Sequence, residues 1–151
     1  MTSLSEFKPL AGAVEAVGRL NRAGLRVVVV SNQRGIAKGL YTAADVEAIH
    51  SGFQKLLKAH GAKVDGFYFC PHEKGTCNCR KPLPGLYEQA VTDFPEIAAA
   101  DSAMIGDSLS DIDFGRRLGM GNETPAAPKT SYRNPQYKRA RGAAAPNPRR
   151  R

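Results

Sequence analysis

The stretch Arg26-Val27-Val28-Val29-Val30-Ser31-Asn32-Gln33-Arg34-Gly35 decides the fold. A short β-branched run between polar flanks predicts a strand over residues 26–30, buried in a parallel sheet. The text that follows, residues 31–41, holds Gly35 and Gly39 and predicts a loop. In sheets of this kind, ligands sit beyond the carboxyl ends of the strands. Ser31, Asn32, Gln33 and Arg34 occupy that position. A hydroxyl, loop N–H groups and a guanidinium suit phosphate oxygens. An ordinary polar loop with a helix cap is the plainer alternative.

Working outward, the pattern alternates. Leu10, Val14, Val17 and Leu20 recur with a helical rhythm over residues 9–23, and Gly24 suits the position just past the end. Thr42 predicts a helix cap, with Asp45 three residues on completing a capping box. Val46, Ile49, Phe53, Leu56 and Leu57 share one face of that helix, which ends near Gly61. Residues 66–69 predict a second strand, 84–93 a helix with Pro84 near its first turn, 102–105 a third strand and 110–118 a short helix. Strands alternating with helices imply a parallel sheet covered on both faces. Residues 1–120 therefore form one α/β domain. Residues 121–151 contain five of the ten prolines and no apolar rhythm, and predict a disordered basic tail.

Charge separates the same two regions. The net charge is +8, yet residues 1–118 carry 14 basic and 13 acidic side chains. Residues 119–151 carry eight basic side chains and one acid, Glu123. The basicity belongs to the tail, which argues against a specific nucleic-acid face. No apolar run approaches the roughly 20 residues of a membrane-spanning helix, and no signal-type segment follows Met1. A cytoplasmic protein with no membrane contact is expected.

Two further motifs carry chemistry. All three cysteines lie in Cys70-Pro71-His72-Glu73-Lys74-Gly75-Thr76-Cys77-Asn78-Cys79. Cys-x-His and Cys-x-Cys pairs joined by a short loop suit one tetrahedral zinc held by Cys70, His72, Cys77 and Cys79. Packing alone does not explain such spacing, and a reducing compartment disfavours a disulfide framework. Four protein ligands leave no open position, so the zinc is structural. Arg80 and Lys81 follow at once, a bidentate fork and a point charge suited to a phosphoryl group. The other motif is Ile105-Gly106-Asp107-Ser108-Leu109-Ser110-Asp111. A carboxylate at a strand end with another four residues on suits magnesium, which prefers oxygen ligands. Helix capping by Ser108 or Ser110, with Asp111 in the first turn, explains Asp111 equally well but does not require Asp107.

These motifs, in this order, resemble the haloacid dehalogenase (HAD) superfamily. The finer likeness is to its zinc-containing branch of D-glycero-D-manno-heptose 1,7-bisphosphate phosphatases. "VVVVSNQRGIAKGLYTAADVEAIH" resembles that branch's second motif, "FYFCPHEKGTCNCRKPLPGL" its zinc loop and basic motif, and "MIGDSLSDIDFGRRLGM" its acidic motif. The likeness covers roughly residues 7–120, and the histidinol-phosphate phosphatases share the zinc loop. It implies a HAD-like three-layer fold and magnesium-assisted removal of the C7 phosphate through an aspartyl-phosphate. By position, Ser31, Lys81 and Asp107 take catalytic roles, with Ser31 and Lys81 on the phosphoryl group. Asn32, Gln33, Arg34 and Arg80 grip the rest of a small phosphorylated sugar. Asp107 holds magnesium with Asp111 in support, and the Cys/His set holds zinc. A monomer is expected.

One part of the family pattern has no counterpart in the sequence. The nucleophile belongs to an apolar-run-Asp-x-Asp-Gly segment on the first, central strand. No aspartate precedes Asp45, and Asp111-Ile112-Asp113 follows no strand. "LSEFKPLAGAVEAVGRL" resembles family text downstream of the nucleophile. A partial domain whose central strand is missing is the expectation, inactive alone. The text after Met120 also departs from the family, as a frame change or fusion would produce. A zinc-containing phosphoester-binding protein without catalysis is the other reading these observations leave.

Overall fold

The computed structural model describes residues 7–123, and its element boundaries follow local signals. Helix α1 (Ala13–Arg22) leads into strand β1 (Val28–Asn32) and a single helical turn, α2 (Arg34–Ala37). Helix α3 (Ala43–Ala59) is the longest described. It starts where expected: Thr42 Oγ1 accepts from the Asp45 N–H, and the Asp45 carboxylate accepts from the Thr42 N–H. Strand β2 (Gly66–Cys70) opens into the cysteine loop, which ends at helix α4 (Gly85–Asp93). A 3-10 turn (Ala99–Asp101) precedes strand β3 (Ala103–Ile105), helix α5 (Leu109–Leu118) and strand β4 (Gly121–Glu123).

The four strands form two parallel pairs. β1 lies beside β2 in the register Val28 to Gly66 through Asn32 to Cys70. β3 lies beside β4, Ala103 against Gly121 and Ile105 against Glu123. Among the described residues the two pairs are not joined by a ladder. This is the divided sheet expected if the strand between β1 and β3 is lacking. Its effect on burial is direct. Every residue of β1 is only partly buried, whereas a fully covered strand was expected. In β3, Ile105 is 55 % exposed. A strand with a neighbour on one side only keeps part of its surface and backbone open.

Side chains of β1 and β2 point alternately to two small cores. On one face, Leu57, Ala62 and Val64 gather Val14, Val17, Val29, Phe53 and Phe67, seating α1 and α3. On the other, Cys70, Cys79 and Leu86 gather Val30 and Tyr68, seating α4 and the cysteine loop. Edge contacts trim this half: Val27 and Asp65 exchange backbone and side-chain hydrogen bonds, and Tyr68 donates to Asp93 at 2.6 Å. Burial, then the hydrogen bond to Asp93, push the Tyr68 phenol up to about 12.

Two expectations are corrected. The first strand starts later and runs on through Ser31 and Asn32, so these two side chains project from a strand rather than a loop. The domain also does not stop at Met120. Residues 121–123 form β4, because β3 offers an open edge whose hydrogen bonds outweigh the weak strand propensity of Gly-Asn-Glu. The remainder of the expected tail, 124–151, lies outside the described residues.

Candidate functional site: a lysine held between a Cys/His cluster and two strand ends

The ends of β1 and β2 converge on the cysteine loop. Cys70 closes β2 and is fully buried, and Cys79 is nearly so. Cys70 Sγ lies 3.5 Å from Cys77 Sγ and 3.7 Å from His72 Nδ1, and His72 Nδ1 lies 3.2 Å from Cys79 Sγ. All four ligand atoms fall within 4.8 Å of one another. A tetrahedral zinc with ordinary bond lengths sets such atoms about 3.5–3.8 Å apart. Three soft sulfurs and one imidazole nitrogen gathered this closely suit zinc, with shifts of about 1 Å or less to reach tetrahedral spacing. They are the four residues the sequence nominated.

The loop delivers Lys81, which is 8 % exposed and uses two of its three ammonium donors within the protein. Its Nζ donates to the Val30 carbonyl at 2.8 Å and to Asp111 Oδ1 at 2.5 Å. Its backbone is clamped from both sides by one side chain. Lys81 N–H donates to Asn32 Oδ1 at 2.9 Å, and Asn32 Nδ2 donates to the Lys81 carbonyl at 3.1 Å. The Asn32 amide thus imitates a neighbouring strand and fixes the lysine across the end of β1.

Asp111 completes the arrangement from α5. Ser108 caps that helix, and Asp111 closes the box through the Ser108 N–H and hydroxyl. The capping explanation for Asp111 is therefore realised, with Lys81 added. Burial alone raises the Asp111 carboxyl, but hydrogen bonds from Lys81 and Ser108, with the lysine charge, hold it below the usual carboxylate range. Gly106 makes room for it, since a Cβ there would collide with the Asp111 side chain. Asp107 follows Gly106 just past the carboxyl end of β3 and is exposed.

The remaining candidates divide. Ser31 Oγ lies 3.2 Å from Gln33 Nε2, and Tyr41 donates to Gln33 Oε1 at 2.8 Å. Arg34 is paired with Glu73 of the cysteine loop, which ties α2 to that loop. Arg80 is the opposite case. Its Nη1 is buried with no hydrogen-bond partner among the described residues, a donor lacking an acceptor. Sequence reasoning missed Tyr41 and Glu73. Each acts across a loop reversal, and neither stands at a spacing that signals its partner.

The divided parallel sheet, the strand-end lysine and the Asp107 motif define a HAD-type hydrolase domain. Residues 2–119 match the haloacid dehalogenase-like hydrolase family, and the chain belongs to it. Among its relatives is the D-glycero-beta-D-manno-heptose-1,7-bisphosphate 7-phosphatase of Neisseria meningitidis, 36% identical over 111 residues. That match takes in 73% of this chain and 59% of the relative. The D-glycero-alpha-D-manno-heptose-1,7-bisphosphate 7-phosphatase of Mycobacterium bovis is 39% identical over 114 residues, 75% of this chain and 60% of its own. The chain thus spans about three fifths of the length of these relatives. A crystal structure of D,D-heptose 1,7-bisphosphate phosphatase from B. bronchiseptica, complexed with magnesium and phosphate, superposes with a TM-score of 0.74. It is 35% identical, and the match covers 80% of this chain and 68% of that one. Among the described residues no helix is long and apolar enough to cross a membrane.

Proposed function

We propose that this chain carries the phosphate-gripping part of a sugar-bisphosphate phosphatase acting on the C7 phosphate of D-glycero-D-manno-heptose 1,7-bisphosphate. The observation that carries the reading is Lys81: a buried ammonium, clamped by Asn32 and countered by Asp111, on a loop knotted by the Cys/His cluster. Phosphoryl transfer is catalysed mainly by positioning and charge stabilisation, and a fixed cation at the strand ends supplies both. Similarity to phosphatases of both anomers supports the substrate class, a phosphorylated heptose, in either configuration.

In this reading Ser31 donates its hydroxyl to a phosphoryl oxygen, and Lys81 offsets the developing charge. Arg80 turns its unpartnered Nη1 to the distal phosphate or a sugar oxygen. Asn32 serves mainly by holding Lys81, and Arg34 by holding the cysteine loop. The Cys/His set would hold zinc, which locks the loop and takes no substrate. Asp107 would hold magnesium, whose oxygen preference its carboxylate meets; the ion, when bound, neutralises phosphate charge. Asp111 supports the site through Lys81, since both its oxygens are already engaged there.

Residues 1–44 contain no aspartate, so the 151-residue chain offers no Asp-x-Asp nucleophile ahead of β1. The chain alone is expected to bind inorganic phosphate with magnesium and to release none from esters. Fusing an Asp-x-Asp-Gly strand segment ahead of Met1 is expected to restore magnesium-dependent release from heptose 1,7-bisphosphate. If the fused chain releases no phosphate from that ester, from histidinol phosphate or from a generic phosphomonoester, the phosphatase reading fails. The divided sheet also favours a second reading, a phosphoester-binding protein without turnover, and the same fusion separates the two.

A further inference from the structure

We infer that Tyr41 is a positioning residue that sets the direction of the Ser31 hydroxyl through Gln33; this rests on the phosphate-binding reading above. The three side chains form one hydrogen-bonded chain: Tyr41 OH to Gln33 Oε1 at 2.8 Å, and Gln33 Nε2 to Ser31 Oγ at 3.2 Å. They line the polar side of a cavity of about 340 Å³ whose other walls include Val29, Ile49 and Phe53. Apolar walls strengthen such a chain and penalise any polar atom left unpaired. Asp45 also borders the cavity, but its carboxylate is engaged by Thr42.

The polarity of the chain has a chemical consequence. A carboxamide presents an acceptor on one side and a donor on the other. While Tyr41 donates to Gln33 Oε1, Nε2 must face Ser31. Ser31 Oγ then accepts, and its own proton stays available for an anion's oxygen. With the amide reversed, Oε1 would take the serine proton, and Ser31 would turn only lone pairs toward the phosphate. Local structure places Tyr41 for this task. The turn of α2 closes through Lys38 N–H to Arg34 carbonyl and Leu40 N–H to Gly35 carbonyl, which brings residue 41 back toward residue 33. The Tyr41 ring lies across Gly35, where any Cβ would collide with it.

The test uses the zinc-loaded 151-residue chain, inorganic phosphate and magnesium, with affinity measured by calorimetry and the Gln33 side-chain amide followed by nitrogen-15 NMR. Tyr41→Phe is expected to weaken phosphate about threefold to tenfold and to shift the two Gln33 Nε2 proton signals. In a Ser31→Ala background, Tyr41→Phe should weaken phosphate no further, a non-additivity that a general loss of packing would not produce. An unmoved Gln33 amide, or an equal loss in both backgrounds, overturns the relay while a Ser31→Ala defect leaves the phosphate reading standing. No measurable phosphate binding by the parent chain, or none of it dependent on Ser31, overturns the phosphate reading and the relay with it.

Discussion

The two strand pairs face the same solvent but are built differently. β1 and β2 align over five residues and bury a core on each face. β3 and β4 align over three, and β3 keeps Ala103 and Ile105 exposed. Leu109, at the start of α5, is 73 % exposed. The first half is secured by contacts of its own, the Cys/His knot among them. The second half leans on α5, and the buried Lys81–Asp111 pair links that helix to the first half. Burial is thus concentrated on the side that presents the lysine, and the side bearing Asp107 is the more open.

The largest break in this comparison is expected at the Cys/His cluster. On the zinc reading proposed above, a chelator, or Cys79→Ser, deprives the first half of its knot. Stability is expected to fall on the order of 5 kcal/mol or more, because metal free energy is folding free energy in such loops. Amide hydrogen exchange should rise first in residues 70–81 and last in α3. Metal analysis should find one zinc per chain; retention of the parent melting curve without zinc would show that packing alone holds the loop.

Next in size is the link itself. Lys81→Met leaves the Asp111 carboxylate buried without its counter-ion and is expected to cost about 3–5 kcal/mol. Adding Asp111→Asn should return part of that loss, since the stranded charge is then removed. A double mutant no more stable than Lys81→Met would mean that the pair contributes nothing as a pair.

The same pair makes stability depend on acid. The Asp111 carboxyl lies below its unfolded value of 3.8. The folded chain therefore binds fewer protons than the unfolded one in that range, so the stabilisation is complete above about 3.8 and is lost as pH falls through the folded value. Lys81→Met removes two of the four influences that lower it, leaving those from Ser108. The acid-side loss should then begin at a higher pH. Urea midpoints measured from pH 2 to 6 check both the direction and the displacement.

How much of this was legible beforehand follows how local each feature is. The Thr42–Asp45 cap is written in a spacing of three and is realised, and Val46 and Leu57 are buried on the expected face of α3, whereas Leu56, expected beside them, is 37 % exposed. The Cys/His spacing is equally local, and the structure brings its four residues together. That β1 has a neighbour on one side only, among the described residues, was legible because an Asp-x-Asp segment is itself a short pattern. What escaped depends on distant partners. Gly121-Asn122-Glu123 has no strand character until β3 lies beside it. Asn32 and Arg34 read as groups free to meet substrate. Their partners, Lys81 and Glu73, come from a loop about 40–50 residues away.

The smallest prediction sharpens the comparison most directly, because each half contains the same device. Thr42 with Asp45 and Ser108 with Asp111 are both complete capping boxes. Removal of such a cap ordinarily costs about 1 kcal/mol, and Thr42→Ala should cost that much, since its box is exposed. Ser108→Ala removes a donor from a carboxylate that is buried and bound to Lys81, so the loss reaches the ion pair as well as the helix end. It should exceed the Thr42→Ala loss and raise the pH at which acid unfolding begins by more than Thr42→Ala does, since Thr42 also holds the Asp45 carboxyl low but that box is exposed. Equal costs in thermal melts would mean that the Ser108 box serves α5 alone, and that Lys81 holds Asp111 without help from the helix cap.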